Sequence, residues 1–346
     1  MATVLPKIRF RDSQIEMAHG AGGKASRRLV EGLFAPILFG PTIEPLGDAA
    51  YLDLNGTRVA ITTDSFVVKP LRFPGGSIGE LAVNGTVNDL AVSGARAQAL
   101  VVTYVLEAGL PTPVLEAEVR AMAKAASLAG VAIAGGDTKV VENGKADGMY
   151  ITTAGIGSPI PGVSLSAASV RPGDKVLLSG PIGDHGIAIL LARGDLELEA
   201  DLCSDTRPVL PLVEALARVA SPGLRWMRDP TRGGVATSLN ELARDCGLAV
   251  AVLEDAVPIH DMVRGACELL GLDPLHIANE GQFLAVVAPE YASAALQALQ
   301  ETPGGHQAAV IGEIREQPSG TVLGTTSYGG TRVIDMLVGD PLPRIC

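Results

Sequence analysis

Short apolar runs alternate with amphipathic stretches along most of the chain, a pattern typical of strands and helices packed in layers. In the first half, the pattern predicts strands over residues 51–54, 59–64, 99–106 and 149–157, and helices over residues 26–34, 78–93 and 114–128. In the second half, it predicts strands over residues 175–179, 249–253 and 283–288, and helices over residues 186–193, 208–219, 235–246 and 259–270. We therefore expect an α/β fold built from α+β layers.

One stretch rich in Pro, Gly and Ser, residues 159–174, divides this pattern and is interpreted as a linker. With 346 residues the chain is long enough for two domains with full cores. We expect an N-terminal segment over residues 1–40, a first domain over 41–158, a second domain over 175–320, and a terminal strand and tail over 321–346.

Charge and cysteine content restrict the function. A formal net charge of -11 argues against binding to nucleic acid or anionic membranes, because both need basic patches. Four scattered cysteines without a Cys-x-x-Cys pair give neither a disulfide framework nor a common zinc spacing. The sequence has no apolar run of about 18 residues and no signal-peptide layout at its start. We expect a cytoplasmic protein.

Acidic residues fall beside the predicted strands and helices of the first half. Asp48 precedes the first strand, Asp64 ends the second, and Asp89 lies on the helix over residues 78–93. Residues 131–134 are interpreted as a buried strand that opens onto the Gly-Gly-Asp-Thr-Lys sequence at 135–139, which contains Asp137. Backbone at such glycines can approach a phosphate closely. Four hard oxygen ligands at separate positions suit Mg²⁺ held between carboxylates and nucleotide phosphates.

Two glycine-rich stretches precede predicted helices. The first contains His19, Gly20 and Lys24 and leads into the helix at 26–34, where backbone N–H groups can face an anion. It is not a Walker A loop, because position 18 lacks the required Gly and position 25 the required Ser or Thr. The second places Asp229 and Thr231 before the helix at 235–246, and we interpret it as a second anion or metal site.

Polar residues in apolar surroundings mark two further positions. Asn84 and Asn88 share one face of the helix over residues 78–93, with Asp89 alongside. Such groups are costly to bury unless they bind something. Glu280 stands in a polar tetrad before an apolar run, where a solvated loop residue is the default interpretation.

The sequence ends on Cys346, and Pro341 and Pro343 predict a stiff, extended approach to it. Fully extended, residues 339–346 would reach about 25 Å. This length is enough to carry the thiol into a cleft on the same or a neighbouring molecule. The sequence leaves open whether the tail rests inside or outside such a cleft.

Taken in order, these motifs resemble the aminoimidazole ribonucleotide (AIR) synthetase superfamily of ATP-using enzymes. The motifs are Gly47-Asp48-Ala49-Ala50, Thr62-Thr63-Asp64, Asn88-Asp89, Gly135-Gly136-Asp137-Thr138 and Asp229-Pro230-Thr231-Arg232-Gly233-Gly234. With Pro343-Arg344-Ile345-Cys346 at its end, the chain is similar to the HypE family of hydrogenase maturation factors. The resemblance implies a PurM-like two-domain architecture, in which N-terminal domains with mixed sheets form a homodimer and a C-terminal α/β domain carries an extended tail.

The resemblance also implies a reaction. The family uses ATP to dehydrate a carbamoyl group on its terminal cysteine to a thiocyanate. A HypF-like carbamoyltransferase donates the carbamoyl group, and a HypC–HypD-like iron scaffold accepts the cyanide.

Site residues carried over by matching positions form three groups. The implied Mg²⁺ ligands are Asp48, Asp89, Asp137 and Asp229. The implied ATP contacts are His19, Gly20, Lys24, Asp64, Asn88, Gly135, Gly136, Thr138 and Thr231. Cys346 is the implied carrier, and Lys139 and Glu280 are candidates for polarising the carboxamide and taking its proton.

Alternatives within the superfamily are weaker. Selenophosphate synthetases place a reactive Cys or selenocysteine in the first glycine-rich region, whereas this chain has none before Cys203. A thiamine phosphate kinase has no use for a terminal cysteine. Two other hypotheses stay open: a ligase or kinase that acts on a free small molecule, and a nucleotide-binding thiol carrier without catalysis.

Overall fold

A computed structural model describes residues 9–40, 46–194, 201–326, 328–339, 342 and 344–346. The strands of the first half are β1 (Ala50–Leu54), β2 (Thr57–Phe66), β3 (Arg72–Phe73), β4 (Gly76–Ser77), β5 (Ala95–Glu107), β6 (Ala132–Val141) and β7 (Met149–Pro159). The helices of this half are α1 (Lys24–Leu29), which continues through a π-helical turn (Val30–Phe34) into α2 (Ala35–Leu38), then α3 (Ile78–Val92) and α4 (Thr112–Ala129).

The first sheet is mixed and has the strand order β1-β2-β7-β5-β6, while β3 and β4 form a small separate pair. Only β5 and β6 run parallel, because α4 carries the chain back across the sheet between them. Gly130 ends α4 in a left-handed conformation (φ 66°), as expected for a C-cap glycine. Helix α3 is almost entirely buried on the inner face of this sheet, which is the face that helices cover.

The second half folds around a sheet with the strand order β14-β13-β10-β12-β8-β11-β9. Its strands are β8 (Lys175–Leu178), β9 (Leu224–Arg228), β10 (Ala249–Leu253), β11 (Leu284–Val287), β12 (Ala309–Arg315), β13 (Val322–Thr325) and β14 (Thr331–Val333). Its helices are α5 (Asp184–Ala192), α6 (Leu210–Ala220), α7 (Gly234–Cys246), α8 (Asp261–Leu270) and α9 (Ala292–Gln300).

The two sheets bury their faces differently. Helix α7 covers one face of the second sheet, and α6 and α9 cover the other, so strand β11 is buried along its whole length. The first sheet has one core, on its inner face, and its other face is bare. Helix α5 and the terminal residues Leu342, Ile345 and Cys346 also pack into that core, although they lie in the second half of the sequence.

The mixed α/β fold of the sequence analysis is confirmed, with three local corrections. The run at 131–134 is not a buried strand that ends before the Gly-Gly-Asp-Thr-Lys sequence, because β6 continues through this sequence as an exposed edge strand. Asp64 lies within β2 instead of at its end. The terminal strand expected within residues 321–346 is found as two short strands, β13 (Val322–Thr325) and β14 (Thr331–Val333).

Candidate active site

Four aspartates from separate elements lie close enough to repel one another electrostatically. Asp48 precedes β1, Asp64 lies on β2, Asp89 on α3, and Asp229 directly after β9. Thr62, also on β2, ties two of them together: its hydroxyl lies 2.9 Å from Asp89 Oδ2 and 2.7 Å from the carbonyl oxygen of Asp48. The two halves of the chain therefore build one acidic cluster (Asp48, Asp64, Asp89 and Asp229).

Burial raises the pKa of every member of this cluster. For Asp89 and Asp229 the pKa lies well above its ordinary value, first because of burial and then because neighbouring carboxylates oppose ionisation. Burial raises the pKa of Asp48 to about 6, against the opposing effect of the Arg228 guanidinium. Such a cluster favours bound protons or bound cations.

Arg228 is a built-in cation beside the cluster. Its Nε lies 2.9 Å from Asp48 Oδ1, and its Nη2 lies 2.8 Å from Glu241 Oε2. A third guanidinium nitrogen donates to the carbonyl oxygen of Leu46. Arg228 therefore holds the loop that carries Asp48, while two acidic partners share its charge.

Glu280 is buried, and this excludes the default interpretation of a solvated loop residue. It is 4% exposed, and its backbone N–H donates to Asp205 Oδ1 at 3.0 Å. Burial is the first cause that raises its pKa well above the ordinary value, and Asp64 and Asp229 are the next. The Glu280 carboxyl therefore borders the acidic cluster as a proton-binding group.

The donor set suits Mg²⁺ bound through a nucleotide. No three His, Cys, Asp or Glu side chains in the described ranges converge closely enough to hold a metal ion by themselves. Magnesium in nucleotide sites usually takes one or two carboxylates, phosphate oxygens and water. The carboxylates of Asp89 and Asp229, whose repulsion a cation would relieve, meet that requirement.

The C-terminal tail rests inside the protein, with its last residue buried. Cys346 is 9% exposed, and its carbonyl oxygen accepts a hydrogen bond from the Val67 N–H at 2.9 Å, just past the end of β2. Beside it lies a cavity of 570 Å³, lined by Ile15, Glu16, Met17, Gly20, Ala21, Val67, Arg232, Arg344, Ile345 and Cys346. Pro341 and Pro343 lie outside the described residues, and Arg344 has a left-handed backbone (φ 60°).

Arg232 links this cavity to the acidic cluster. Its guanidinium donates to the carbonyl oxygen of Gly20 at 2.9 Å and lowers the pKa of both Asp64 and Glu280 against the effect of burial. The sequence analysis did not select Arg232, although it stands in the same motif as Asp229 and Thr231. Its place in that motif is a signal in the sequence, because arginine commonly binds phosphate.

Asp137 and Lys139 lie away from the cluster within one chain. The register pairs Asp137 with Thr103, Thr152 and Ser65 in turn, so it faces the outer side of the sheet, opposite to Asp64. Three strand spacings, about 14 Å, separate β2 from β6. The exposed Asp137 carboxylate pairs with Lys139 Nζ at 2.6 Å, which lowers the pKa of Asp137.

The other glycine-motif residues of β6 lie on the same exposed strand. Gly136 is required there because a Cβ would lie 2.0 Å from the carbonyl oxygen of Val102 on β5. Gly135 meets no such obstacle, and the Thr138 N–H donates to Asp137. Within one chain, therefore, β6 does not bring these predicted nucleotide contacts to the acidic cluster.

The first glycine-rich stretch is already engaged by protein groups. His19 is buried, with Nε2 2.8 Å from Asp12 Oδ2 and Nδ1 accepting from the Glu16 N–H. Lys24 pairs with Asp335, and its N–H donates to the carbonyl oxygen of Leu337 at 2.8 Å. In this conformation, the start of α1 therefore binds the segment before the tail.

Asn88 joins the two halves of the chain. Its Nδ2 donates to the carbonyl oxygens of Arg207 and Glu280, and its Oδ1 accepts from the Val209 N–H at 2.8 Å. These bonds explain why an amide is tolerated on a buried helix. Thr231 is half-buried, and its carbonyl oxygen accepts from the Gly234 N–H at the start of α7.

Family models match both halves: AIR synthase related protein, N-terminal domain, over residues 46–158, and AIR synthase related protein, C-terminal domain, over residues 171–324. The chain is 47% identical over 342 residues to the carbamoyl dehydratase HypE of Azotobacter vinelandii, covering 99% of this chain and 100% of that one.

Two solved structures are similar along most of their length. A HypE–HypF complex contains a chain that superposes with a TM-score of 0.84 at 43% identity, covering 89% of this chain and 99% of that one. A HypE structure in complex with ATP gives a TM-score of 0.80 at 45% identity, with coverages of 96% and 100%.

In the part of the chain that the structure describes, no helix has the length and apolar character needed to span a membrane. The two matching models, the near-complete overlap with the Azotobacter protein and the shared PurM-like fold all lead to one assignment. This chain belongs to the HypE family of hydrogenase maturation proteins, which are carbamoyl dehydratases of the AIR synthase related group.

Proposed function

We propose that this chain uses ATP to dehydrate a carbamoyl group carried on Cys346, giving a thiocyanate whose cyanide becomes a ligand of the hydrogenase iron centre. One observation carries the proposal: Cys346 is docked beside a cavity that shares Arg232 with the acidic cluster. The ATP complex of a similar HypE structure supports the choice of nucleotide.

The chemistry requires a better leaving group than hydroxide. The carboxamide oxygen attacks the terminal phosphorus of ATP, which releases ADP, and loss of one of the two N–H protons leaves an O-phosphorylated thioimidate. Loss of phosphate breaks the C–O bond, and loss of the remaining N–H proton completes the C≡N bond. The sum is thiocarbamate plus ATP giving thiocyanate, ADP and phosphate, so a reaction that formally removes water proceeds without releasing hydroxide.

Residues of the acidic cluster, Glu280 and Arg232 suit these proton and charge movements. Glu280 is our candidate for the proton acceptor, because a carboxylate with a raised pKa is the stronger base. Arg232 is placed to balance the charge that develops on the transferred phosphoryl group. Asp89 and Asp229 would hold Mg²⁺, which lowers the negative charge that the attacking oxygen meets.

We further propose a homodimer formed through the outer face of the first sheet. This face exposes Ile61, Val101 and Ile156 at 40%, 48% and 47%, and monomers rarely leave such a row open to water. Asp137 and Lys139 lie on the same face. A second copy would therefore cover the apolar row and place these two residues at the interface, where Lys139 would polarise the carboxamide of the partner's site.

Intact-mass measurement tests the central reaction. After incubation with a HypF-like carbamoyltransferase, its carbamoyl donor and ATP, we expect a carbamoyl mass on the chain, followed by the loss of one water. Cys346→Ala should accept no adduct, whereas Cys203→Ala, which removes an exposed thiol, should behave as the wild type. Substrate-dependent ADP formation in Cys346→Ala would indicate a free small molecule as substrate. Tight ATP binding without turnover on a carbamoylated tail would indicate a carrier.

Mixed dimers test the role of Lys139. A Lys139→Ala chain keeps Cys346, and a Cys346→Ala chain keeps Lys139. If the lysine serves the partner's site, mixing the two inactive variants should restore up to half of the sites in each mixed dimer. If both residues serve one chain, mixing should restore nothing.

Partner exchange completes the proposal. The HypE–HypF complex supports a HypF-like carbamoyl donor for this chain. We expect a HypC–HypD-like iron scaffold to accept the cyanide. Cleavage of the S–C bond into thiolate and cyanide takes up two electrons, so incubation of the thiocyanate form with such a scaffold and a two-electron reductant should regenerate the free thiol of Cys346. Persistence of the thiocyanate mass would exclude that acceptor.

A further inference from the structure

Helix α5 makes a set of directed contacts to the tail that the sequence analysis did not anticipate. His185, in its first turn, donates from Nε2 to the carbonyl oxygen of Ile345 at 2.7 Å. Arg193, at its C-cap, donates from Nη2 to the carbonyl oxygen of Arg344 at 2.7 Å and from Nε to that of Lys69 at 3.0 Å. Both ends of one helix therefore bind backbone of the two residues before Cys346.

The opposite edge of the tail pairs with the chain that follows β2. The Val67 N–H donates to the carbonyl oxygen of Cys346, and the Lys69 N–H donates to that of Arg344 at 3.4 Å. As the residue number rises from 67 to 69 on one segment, the number of the bonded partner falls from 346 to 344, so the two segments run antiparallel. The tail thus lies between residues 67–69 of the first half and α5 of the second.

Apolar side chains anchor the same segment. Leu342 is 3% exposed and Ile345 is 2% exposed, and both belong to the core beneath the first sheet. Leu342 reaches the backbone of α5 at Gly186, where a Cβ would lie 3.2 Å from Leu342 Cδ1. Apolar packing as well as hydrogen bonding therefore holds the tail in place.

Groups outside the tail also hold the His185 ring. Its Nδ1 lies 2.8 Å from Ser204 Oγ, which also accepts from the Thr206 N–H, and Phe73 packs edge-on at a centroid distance of 5.7 Å. Because Nε2 must donate to a carbonyl, Nδ1 is the acceptor and the Ser204 hydroxyl is its donor. Burial lowers the pKa of His185, which favours this neutral ring.

We propose that α5, through His185 and Arg193, is a latch that positions the Cys346 thiol at the reaction site and sets the fraction of tails that are docked. This inference rests on the proposed function only for its catalytic consequence. Both residues act through the tail backbone, so they are positioning residues. The bonds described above go to the carbonyl oxygens of Ile345 and Arg344, which carbamoylation of the sulfur does not alter, so the latch can hold the free and the carbamoylated tail alike.

Alkylation of Cys346 measures the latch without ATP or a carbamoyl donor. A thiol that reacts only when the tail is undocked is modified at a rate proportional to the undocked fraction. His185→Leu removes the donor and should raise the rate at Cys346 about five- to tenfold, the size expected for one hydrogen bond. His185→Gln keeps a donor near the Nε2 position and should stay within about twofold of the wild type.

Digestion before aspartates separates the tail from other cysteines, since residues 340–346 contain only Cys346 and residues 261–272 only Cys267. Buried Cys267 reports loosening of the whole structure. Arg193→Met should also raise labelling at Cys346 alone, and His306→Leu, a surface histidine bonded to Gln300, should change neither. Unchanged labelling at Cys346 in both latch variants, or an equal rise at Cys267 in both, would overturn the latch.

Turnover supplies a signature that a merely structural role would not give. Loading by the carbamoyltransferase needs an exposed thiol, whereas dehydration needs a docked one. His185→Leu should therefore speed loading while slowing dehydration of the loaded tail, and His185→Gln should restore both. If labelling changes as expected but no water is lost even in the wild type, the latch stands and the proposed reaction fails.

Discussion

The two sheets of this molecule differ in how many of their faces are covered by helices. The second sheet is covered by helices on both faces, and its strand β11 is buried along its whole length. The first sheet is covered on its inner face alone, and its outer face keeps a row of half-exposed branched side chains. Helices of one chain cover both faces of the second sheet, whereas the apolar row of the first sheet stays open to water, at the face where we propose that a second copy packs.

The predicted site residues also divide between the covered side of the first sheet and its bare face or edge. On the covered side, electrostatic interactions join Asp48, Asp64, Asp89, Asp229 and Glu280, and Arg232 links this group to the cavity beside the docked tail. The β6 residues stand on the bare face or edge, including Asp137 and Lys139. The contrast between faces therefore separates groups that one chain assembles from groups that only a dimer would bring to a site.

The largest expected effect comes from placing a charge on the bare outer face of the first sheet. Ile156→Asp, which places a carboxylate in the apolar row of both copies, should weaken the dimer by about 4 kcal/mol or more, because each charge loses water at the interface. Analytical ultracentrifugation should then show a monomer at micromolar concentration. Leu269→Asp, at a position 74% exposed on α8, is the matched control and should leave the mass unchanged. A wild-type monomer would refute the dimer directly.

The second effect concerns the covered sheet. Leu284 on β11 is fully buried, so Leu284→Ala should lower the free energy of unfolding by about 3 kcal/mol through lost contacts and a cavity. Denaturant titration should give this loss at every protein concentration. Ile156→Ala on the bare face is the comparison, and its loss should grow with protein concentration because dimerisation adds stability. Equal, concentration-independent losses would abolish the contrast between the sheets.

A smaller effect is expected within the acidic cluster, with opposite signs for stability and activity. Asp89→Asn removes a buried charge that Asp229, Asp48 and Asp64 all oppose, so the ligand-free protein should gain about 1–2 kcal/mol. The same variant should lose dehydration of the carbamoylated tail, measured by intact mass. Asp201→Asn, an exposed aspartate, should change neither quantity. Full activity in Asp89→Asn would remove Asp89 from the site.

The smallest effect is a pH dependence of the stability gain expected for Asp89→Asn. A raised pKa in the folded state means that folding retains protons which the unfolded chain releases, so the stability from these carboxyls declines as pH rises above about 4. The advantage of Asp89→Asn over the wild type should therefore grow between pH 5 and pH 7, by about 1 kcal/mol. The lowered pKa of His185 makes stability change with pH in the opposite direction. Because His185 is present in both proteins, this contribution cancels when the variant is compared with the wild type. A constant difference would contradict the raised pKa of Asp89.

Most elements were predictable because their signals are local. The helix at 78–93 and the strand at 249–253 were read within one residue of α3 and β10, since apolar spacing and flanking glycines lie within a few residues. The strand that became β6 was placed correctly at its start but ended too early. Its glycines suggested a loop, whereas Gly136 is needed for close approach to β5, a partner remote in sequence.

Site residues show the same limit. The resemblance implies Asn88 as a nucleotide contact, and a buried amide needs partners, yet three backbone groups of the second half supply them. Arg232 and His185 were missed, because their importance comes from carbonyl oxygens and carboxylates that the fold brings from distant positions. Residue type predicts which groups can act, but it does not say which partners will satisfy them.

The sequence alone determined the layered α/β class, the acidic residues and the thiol at Cys346, because periodicity and chemical type are properties of short stretches. Only the tertiary structure decided that four aspartates share one cluster, that Asp137 faces away from it, and that the tail is docked against α5. These outcomes depend on sheet register, on which face the helices cover and on long-range burial. Each is set by contacts between residues far apart in the chain.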